Sequence, residues 1–217
     1  MKFRISPIIM NSAFFSICAL LSISFLWWLN NATQDRISHN QHVAQLKILN
    51  EIIPNHRYDN DLLNDVIVLQ DPALGTKQSV IVHRAHLNEN PVAALFFTAA
   101  PNGYGGNIQL LIGINVDHSL AGVRVITHRE TRGLGDAIDI TRSDWIQQFS
   151  GLSLNNPAAS QWKVKPDGGD FDAFVGATIT PRAVVLAIYT TLQYAKTHHA
   201  VIFSPNTVIK NTAARTP

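Results

Sequence analysis

The sequence contains almost no cysteine. Its single cysteine, Cys18, lies within an apolar run. The chain can therefore form no internal disulfide, no four-thiolate cluster site and no C-x-x-C-H haem attachment. Any redox chemistry of this protein must come from an organic cofactor or from a partner.

The chain also lacks a charge excess. Among its 217 residues, 17 are Lys or Arg and 15 are Asp or Glu, which gives a formal net charge of +2. Nucleic-acid-binding domains carry a basic patch or stripe, so we expect no nucleic acid among the partners. The nine histidines include His39-x-x-His42, His83-x-x-His86 and His198-His199. None has cysteines or carboxylates beside it at ligand spacing, and we expect no metal site.

Charged residues are absent from Ile5 to Gln34, and the segment from Ile8 to Leu29 is rich in Ile, Leu, Phe and Trp. At about 1.5 Å per helical residue this segment spans roughly 33 Å, against a bilayer hydrocarbon core of about 30 Å. A cleaved secretory signal is the alternative, since Lys2 and Arg4 precede the segment. However, the segment is longer than a usual signal and ends in Trp27-Trp28 rather than in a small-x-small cleavage site. We favour an uncleaved single-pass anchor in membrane lipid.

The basic residues before this segment predict its orientation. Lys2 and Arg4 should stay in the cytoplasm by the positive-inside rule. Residues 1–30 would then be a cytoplasmic tip and transmembrane anchor, and the chain beyond them would lie across the membrane. In a bacterium this is the periplasmic side of the inner membrane.

Residues 31–56 are predicted to form a juxtamembrane helix or linker. Apolar residues at three- and four-residue spacing indicate an amphipathic helix from about Asn40 to Ile53, which Pro54 ends. The next segment carries Asp59, Asp61 and Asp65. It lacks the glycine and the glutamate of an EF-hand calcium loop, so we expect a turn and the start of a helix there.

Residues 57–203 are predicted to form one extracytoplasmic domain, and the polar tail 204–217 is expected to be disordered. Four short segments rich in branched or aromatic residues are bounded by Gly, Pro, Asn or Asp, as strands are. They are Gln78–Ala85, Pro91–Ala100, Asn107–Val116 and Leu120–His128. Consecutive strands without helices between them favour a mainly antiparallel sheet, and flanking helices make the fold class α+β.

Two irregular stretches follow the strands. "RETRGLGDAIDI" has Gly133 and Gly135 two residues apart, but the βαβ context of a Rossmann fingerprint is missing. The loop could still bring backbone close to a flat ligand. "SDWIQQFSG" predicts a short helix, with Ser143 as N-cap and Gly151 as terminator.

The stretch "FDAFVGATITPRAVV" leads into the last predicted helix, from Pro181 to about His198. Thr180 fits an N-cap, Pro181 fits the first helical position, and Val184, Val185, Ile188, Leu192 and Ala195 form the buried stripe. On these residues alone Thr180 is an ordinary cap and Thr178 a small loop residue. The alternative is that one of the two hydroxyls carries a group.

Four motifs in combination carry a resemblance: "DAFVGATITPRAVV", "ETRGLGD", "NGYGGNIQLLIG" and "KPDGGDFD". The chain resembles the G subunits of the Rnf (Rsx) ion-translocating electron-transport complex, membrane-anchored members of the FMN-binding domain family. The C subunit of the sodium-pumping NADH:quinone reductase shares this domain. The resemblance implies an electron-carrying flavoprotein that works with the other membrane subunits of its complex, has no catalytic residue and has no turnover of its own.

The resemblance further implies one covalent FMN per chain. Members carry FMN on the final threonine of a D-x-x-(S/T)-G-A-T motif, installed by a flavin transferase from FAD. The motif falls on Asp172, Gly176, Ala177 and Thr178, so that Thr178 would be the phosphoester-linked residue; Val175 replaces the Ser or Thr.

A second motif of the family, commonly E-T-P-G-L-G, implies a flavin loop. It falls here on Glu130, Thr131, Gly133, Leu134 and Gly135, with Arg132 in place of proline. Physical chemistry agrees with the implied linkage, because a phosphate ester near the start of the last helix would meet free N–H groups and the positive end of the helix dipole.

Two rival functions remain at this point. The chain could be a non-catalytic anchored assembly module of the same complex that has lost efficient flavinylation through Val175 and Arg132. It could also be a reductase that binds FMN without a covalent bond.

Overall fold

The computed structural model describes residues 7–76 and 79–204, and among their side chains it omits those of residues 7–14, 35, 38 and 39. The predicted basic tip with Lys2 and Arg4, the predicted strand start at Gln78 and nearly all of the predicted tail lie outside the described residues. The chain divides into two compact units, Met1–Gln45 and Leu46–Pro217.

Helix α1 runs without interruption over Pro7–Asn50. No proline or glycine follows Pro7 within it to break the backbone hydrogen bonds. The amphipathic helix expected from about Asn40 is therefore the last part of α1, and it ends at Asn50 rather than at Ile53. Within α1, the segment Phe15–Gln34 has a mean hydropathy of 1.4 and is long and apolar enough to cross a membrane.

The second unit is built on a five-stranded antiparallel sheet, which confirms the α+β class. In spatial order the strands are β1 (Val66–Leu69), β2 (Val80–Leu87), β3 (Asn90–Gly103), β4 (Gly106–Asn115) and β5 (Leu120–Thr127). All four predicted strands are confirmed as β2 to β5, within about three residues at each end. Strand β1 was missed. The aspartate-containing segment forms the expected turn at Asp61, whose carboxylate accepts the Leu63 N–H at 3.1 Å. The expected helix start was wrong, because the chain continues into β1 and pairs with β2.

Both faces of the sheet are covered within the second unit. Helix α2 (Ile179–Thr197) packs on one face, and the five predicted stripe residues are all buried there. The other face packs against Leu49, Ile52 and Ile53, at and just after the end of α1, and against Leu62. A short helix α3 (His199–Ile202) follows α2.

The region between β5 and α2 consists of 3-10 turns joined around an aromatic cluster. The predicted short helix is a 3-10 helix over Asp144–Phe149, and Ser143 caps it by accepting the Trp145 N–H at 3.2 Å. The indole N–H of Trp145 donates to the Asp172 carbonyl at 2.9 Å. The aromatic cluster contains Trp145, Phe149, Trp162, Phe171 and Phe174. This packing fixes the segment that leads into α2.

Candidate functional site

Three segments that are far apart in the sequence enclose one cavity of about 300 Å³. They are the turn between β3 and β4, the loop after β5, and the turn that precedes α2. The lining residues are Tyr104, Glu130, Thr131, Leu134, Gly135, Gly176, Ala177, Thr178, Ile179 and Thr180. The structure thus brings together seven of the nine residues expected at the site, all except Gly133 and Asp172.

The loop after β5 is closed by its own backbone. The Thr131 carbonyl accepts the N–H groups of Leu134 at 3.2 Å and of Gly135 at 3.0 Å. Gly133 lies outside the cavity lining, and its N–H donates to the buried Asp136 carboxylate at 2.7 Å. Gly133 therefore shapes the loop, while Leu134 and Gly135 face the cavity.

A tight turn presents the segment before α2. The Ala177 N–H donates to the Phe174 carbonyl at 3.0 Å, and Gly176 occupies the left-handed region with φ of 78°. Such a φ is strained for a residue with a Cβ. Val175 stands at the tip of the turn and is 96% exposed, so its side chain does not contribute to the cavity.

Helix α2 begins at Ile179, two residues earlier than expected. Thr178, not Thr180, is the residue directly before the helix, and its side chain makes no capping hydrogen bond. The first N–H groups of a helix have no partner within it, and those of Ile179 and Thr180 belong to this set. The half-buried Thr178 hydroxyl therefore lies at an uncapped helix start that carries no acidic residue in its first turn.

Thr180 has a different role from the predicted cap. It lies inside α2 and is completely buried, and its hydroxyl donates to the Glu130 carboxylate. The second oxygen of Glu130 accepts the Gly105 N–H at 2.8 Å. The prediction of Thr180 as N-cap was wrong. Helix α2 begins before Thr180, and the Thr180 side chain is held by Glu130 in the loop after β5.

Asp172, which the motif suggested for the site, faces away from the cavity. Its side chain is 65% exposed and pairs with the Lys165 ammonium at 2.6 Å. Its backbone carbonyl accepts the indole N–H of Trp145. The motif therefore has an outward part, Asp172 and Val175, and a part that lines the cavity, Gly176 to Thr178.

The arginine closest in sequence to the helix start is already paired. The Arg182 guanidinium donates to both oxygens of Asp167, at 2.5 and 2.7 Å. These hydrogen bonds hold the pKa of the Asp167 carboxyl below its usual value and raise the pKa of Arg182. An anion at this helix start would therefore depend mainly on backbone N–H groups and on the helix dipole.

Three cavity residues were not identified from the sequence as site residues: Tyr104, Ile179 and Thr180. Tyr104 lies in the "NGYGGN" turn and is 72% exposed, and an aromatic side chain in a glycine-flanked hairpin turn could have indicated it. Among the residues that the structure describes, no three His, Cys, Asp or Glu side chains form a metal-ligand group.

The similarity of this chain to known proteins includes the residues of the cavity. The family model described as "FMN-binding domain" matches residues 103–193, which include the whole cavity lining. A protein of Shewanella amazonensis is 41% identical over 198 residues, covering 91% of this chain and 92% of that protein. A protein of Vibrio atlanticus is 37% identical over 194 residues, 89% and 93% of the two chains. A protein of Yersinia pestis is 44% identical over 169 residues, covering 78% of this chain and 81% of that protein. Each of the three is named as the G subunit of an ion-translocating oxidoreductase complex.

Proposed function

This chain belongs to the family of G subunits of ion-translocating oxidoreductase complexes, and on this premise we propose that it carries electrons within such a complex through FMN esterified to Thr178. The observation that carries the proposal is the shared cavity. The glycine loop, the helix start and the Thr178 hydroxyl meet there, although the loop and the helix are separated by more than 40 residues of sequence.

The residues present fit FMN. A cavity of about 300 Å³ is at the lower end of the roughly 300–1,000 Å³ of small-molecule pockets, which suits a flavin that stays partly exposed to an electron-transfer partner. Tyr104, Leu134 and Ile179 offer apolar surface for a flat ring system, and the backbone of Gly176 allows close approach.

The helix start supplies what the phosphate needs. A phosphodiester keeps one negative charge, and the N–H groups of Ile179 and Thr180 with the positive end of the α2 dipole favour an anion beside Thr178. No lysine cradle is required for this. The chain's own contribution is to hold the phosphate and to position the ring.

Attachment would follow a simple exchange of bonds. The Thr178 Oγ forms a bond to the flavin-side phosphorus of FAD on a flavin transferase, the pyrophosphate bond breaks, AMP leaves, and the hydroxyl proton passes to the transferase or to water. The outward residues Asp172 and Val175 are available for contact with the transferase.

The attached group supplies one- and two-electron chemistry, which a chain with a single cysteine cannot provide by itself. The covalent bond keeps the cofactor in place irrespective of its free concentration. With Phe15–Gln34 in the bacterial inner membrane and the second unit on the periplasmic side, the other membrane subunits of the complex would be the electron donor and acceptor.

The decisive experiment is the mass of the intact protein from native membranes. We expect an increase equal to one FMN less one water, and in-gel flavin fluorescence that survives denaturation. Thr178→Ala should remove both signals, whereas Thr190→Ala, which removes another hydroxyl from the region of α2, should retain them. An unmodified chain from cells that contain the transferase contradicts the proposal, and flavin released on denaturation would favour the non-covalent reductase.

A further inference from the structure

We propose that Glu130 is a positioning residue, which acts through Thr180 to hold the start of α2, and with it Thr178, against the β3–β4 turn. This inference rests on the proposed attachment of FMN to Thr178. It assigns Glu130 to the construction of the site rather than to direct contact with the flavin.

The two oxygens of Glu130 join the elements that enclose the cavity. Oε1 accepts the backbone N–H of Gly105 at 2.8 Å, and Oε2 accepts the hydroxyl of Thr180. Gly105 lies in the β3–β4 turn, Glu130 in the loop after β5, and Thr180 in the first turn of α2. One side chain thus connects all three segments.

The burial of Glu130 makes these hydrogen bonds important. Glu130 is only 6% exposed and Thr180 is fully buried. None of the ion pairs found among the described residues includes Glu130. Its carboxylate therefore depends on neutral donors, and loss of either donor leaves a buried polar group without its partner.

Two glycines pack closely around the same carboxylate. A Cβ placed on Gly135 would lie 2.9 Å from the Thr180 Oγ and 3.1 Å from the Glu130 Oε2. A Cβ placed on Gly103 would lie 2.8 Å from Oε1. A side chain at Gly135 would push the loop away from Thr180 and Glu130. One at Gly103 would meet the Gly106 carbonyl oxygen at 2.5 Å as well as Glu130, so packing around the carboxylate explains Gly135 and contributes at Gly103.

The position of Thr178 depends on this connection. Thr178 makes no capping hydrogen bond of its own, and the side chain of Thr180, two residues later, is the polar anchor of the first turn. A displacement of about 1 Å at a reacting group can reduce a rate by about a hundredfold. Loosening the helix start should therefore slow the reaction of the Thr178 hydroxyl before it unfolds the domain.

The test measures how fast purified full-length variants take up flavin from FAD with the transferase. Thr180→Val should lower the initial rate about tenfold or more, because the Glu130 contact is lost while shape is kept. Thr180→Ser keeps the hydroxyl and should restore at least half of the wild-type rate. Glu130→Leu should also slow uptake, because it removes both acceptor oxygens while keeping a side chain of similar size.

Thr191→Val is the matched control. Thr191 is also fully buried on α2, but its hydroxyl donates to the Ala187 carbonyl of the same helix at 2.7 Å, away from the cavity. The Thr191→Val variant should take up flavin at the wild-type rate. A structural readout accompanies the rates: hydrogen exchange of the Gly105 amide should become at least about tenfold faster in Glu130→Leu, because its acceptor is lost, and stay unchanged in Thr191→Val.

The outcomes separate this inference from the proposed function. If the wild type takes up flavin and Thr180→Val is as fast as Thr191→Val, the positioning role is wrong while the proposed function stands. If the wild type takes up no flavin, the proposed function fails. The hydrogen-exchange rate of the Gly105 amide then tests the Glu130 connection alone, and equal exchange in the wild type and Glu130→Leu overturns that connection.

Discussion

Val175 is the residue at which this chain departs from the flavin-attachment motif. Its position in the structure limits the effect that this substitution can have on the candidate site. It stands at the tip of the turn before α2 with 96% of its surface exposed. Arg132, the other departure, is exposed and does not line the cavity. Neither residue lines the cavity. The rival hypothesis of an assembly module therefore depends on recognition by the transferase, not on a damaged flavin site.

Val175→Ser tests this interpretation at the residue scale. Because the side chain touches little, we expect the free energy of unfolding to change by no more than about 0.5 kcal/mol, and the absorption spectrum of attached flavin to stay the same. Only the rate of flavin uptake should respond. The measurement compares uptake and spectra of wild type and variant side by side; a shifted flavin spectrum would mean that position 175 reaches the cofactor after all.

At the scale of elements, the helices and strands that a local sequence pattern determines were predicted correctly. Strands β2 to β5 and the buried stripe of α2 were identified because alternation, bounding turn residues and helical spacing are local properties. Strand β1 was missed because its four residues follow a polar segment with three separated aspartates and become a strand only by pairing with β2. Length and hydropathy likewise could not reveal that the apolar helix continues unbroken to Asn50.

In the candidate site, too, local motifs predicted some features and missed those that depend on tertiary contacts. Resemblance of motifs identified the residues of the glycine loop and the helix start, but the role of Thr180 was wrong. "Thr-Pro" has the local pattern of a helix cap, whereas the actual partner of this hydroxyl, Glu130, is 50 residues away in the sequence. A hydrogen bond over that separation leaves no periodic pattern, so only the tertiary structure could reveal it.

A histidine contact between two elements predicts a pH dependence of stability. His83 on β2 lies with its Nδ1 2.8 Å from the Leu62 carbonyl, in the segment before β1. Burial lowers the pKa of His83, and the Leu62 carbonyl opposes this in part. The unfolded chain, with a histidine pKa of about 6.5, therefore binds the proton more readily than the folded one. Stability should fall as the pH drops below about 6.5.

The measurement is the free energy of unfolding in urea at about pH 7.5 and about pH 5.5, on either side of the unfolded histidine pKa. His83→Gln keeps a donor for the Leu62 carbonyl but does not titrate, so its loss of stability on acidification should be smaller than that of the wild type. His118, whose pKa is also lowered mainly by burial, leaves part of the loss in place. The matched control is His56→Gln, which removes an exposed histidine. An equal loss in the wild type and His83→Gln would contradict the prediction.

At the scale of the whole molecule, the sparse cysteine content and the apolar helix belong to one argument. A chain without thiolate clusters needs an organic cofactor for electron transfer, and the proposed covalent bond would prevent loss of that cofactor on the proposed periplasmic side. As a membrane anchor, the apolar helix would keep the proposed flavin domain near its partners. The candidate site lies wholly within the second unit, and the candidate span Phe15–Gln34 wholly within the first.

The single cysteine allows this arrangement to be tested directly. Cys18 lies within Phe15–Gln34, so in intact membranes it should not react with a membrane-impermeant maleimide and should react once detergent is added. In a Cys18→Ser background, His56→Cys places a thiol at an exposed position of the second unit. It should be labelled from the periplasmic side in cells with a permeabilised outer membrane. If His56→Cys is labelled only after the inner membrane is opened, the orientation is reversed; if Cys18 reacts in intact membranes, the segment does not span the bilayer.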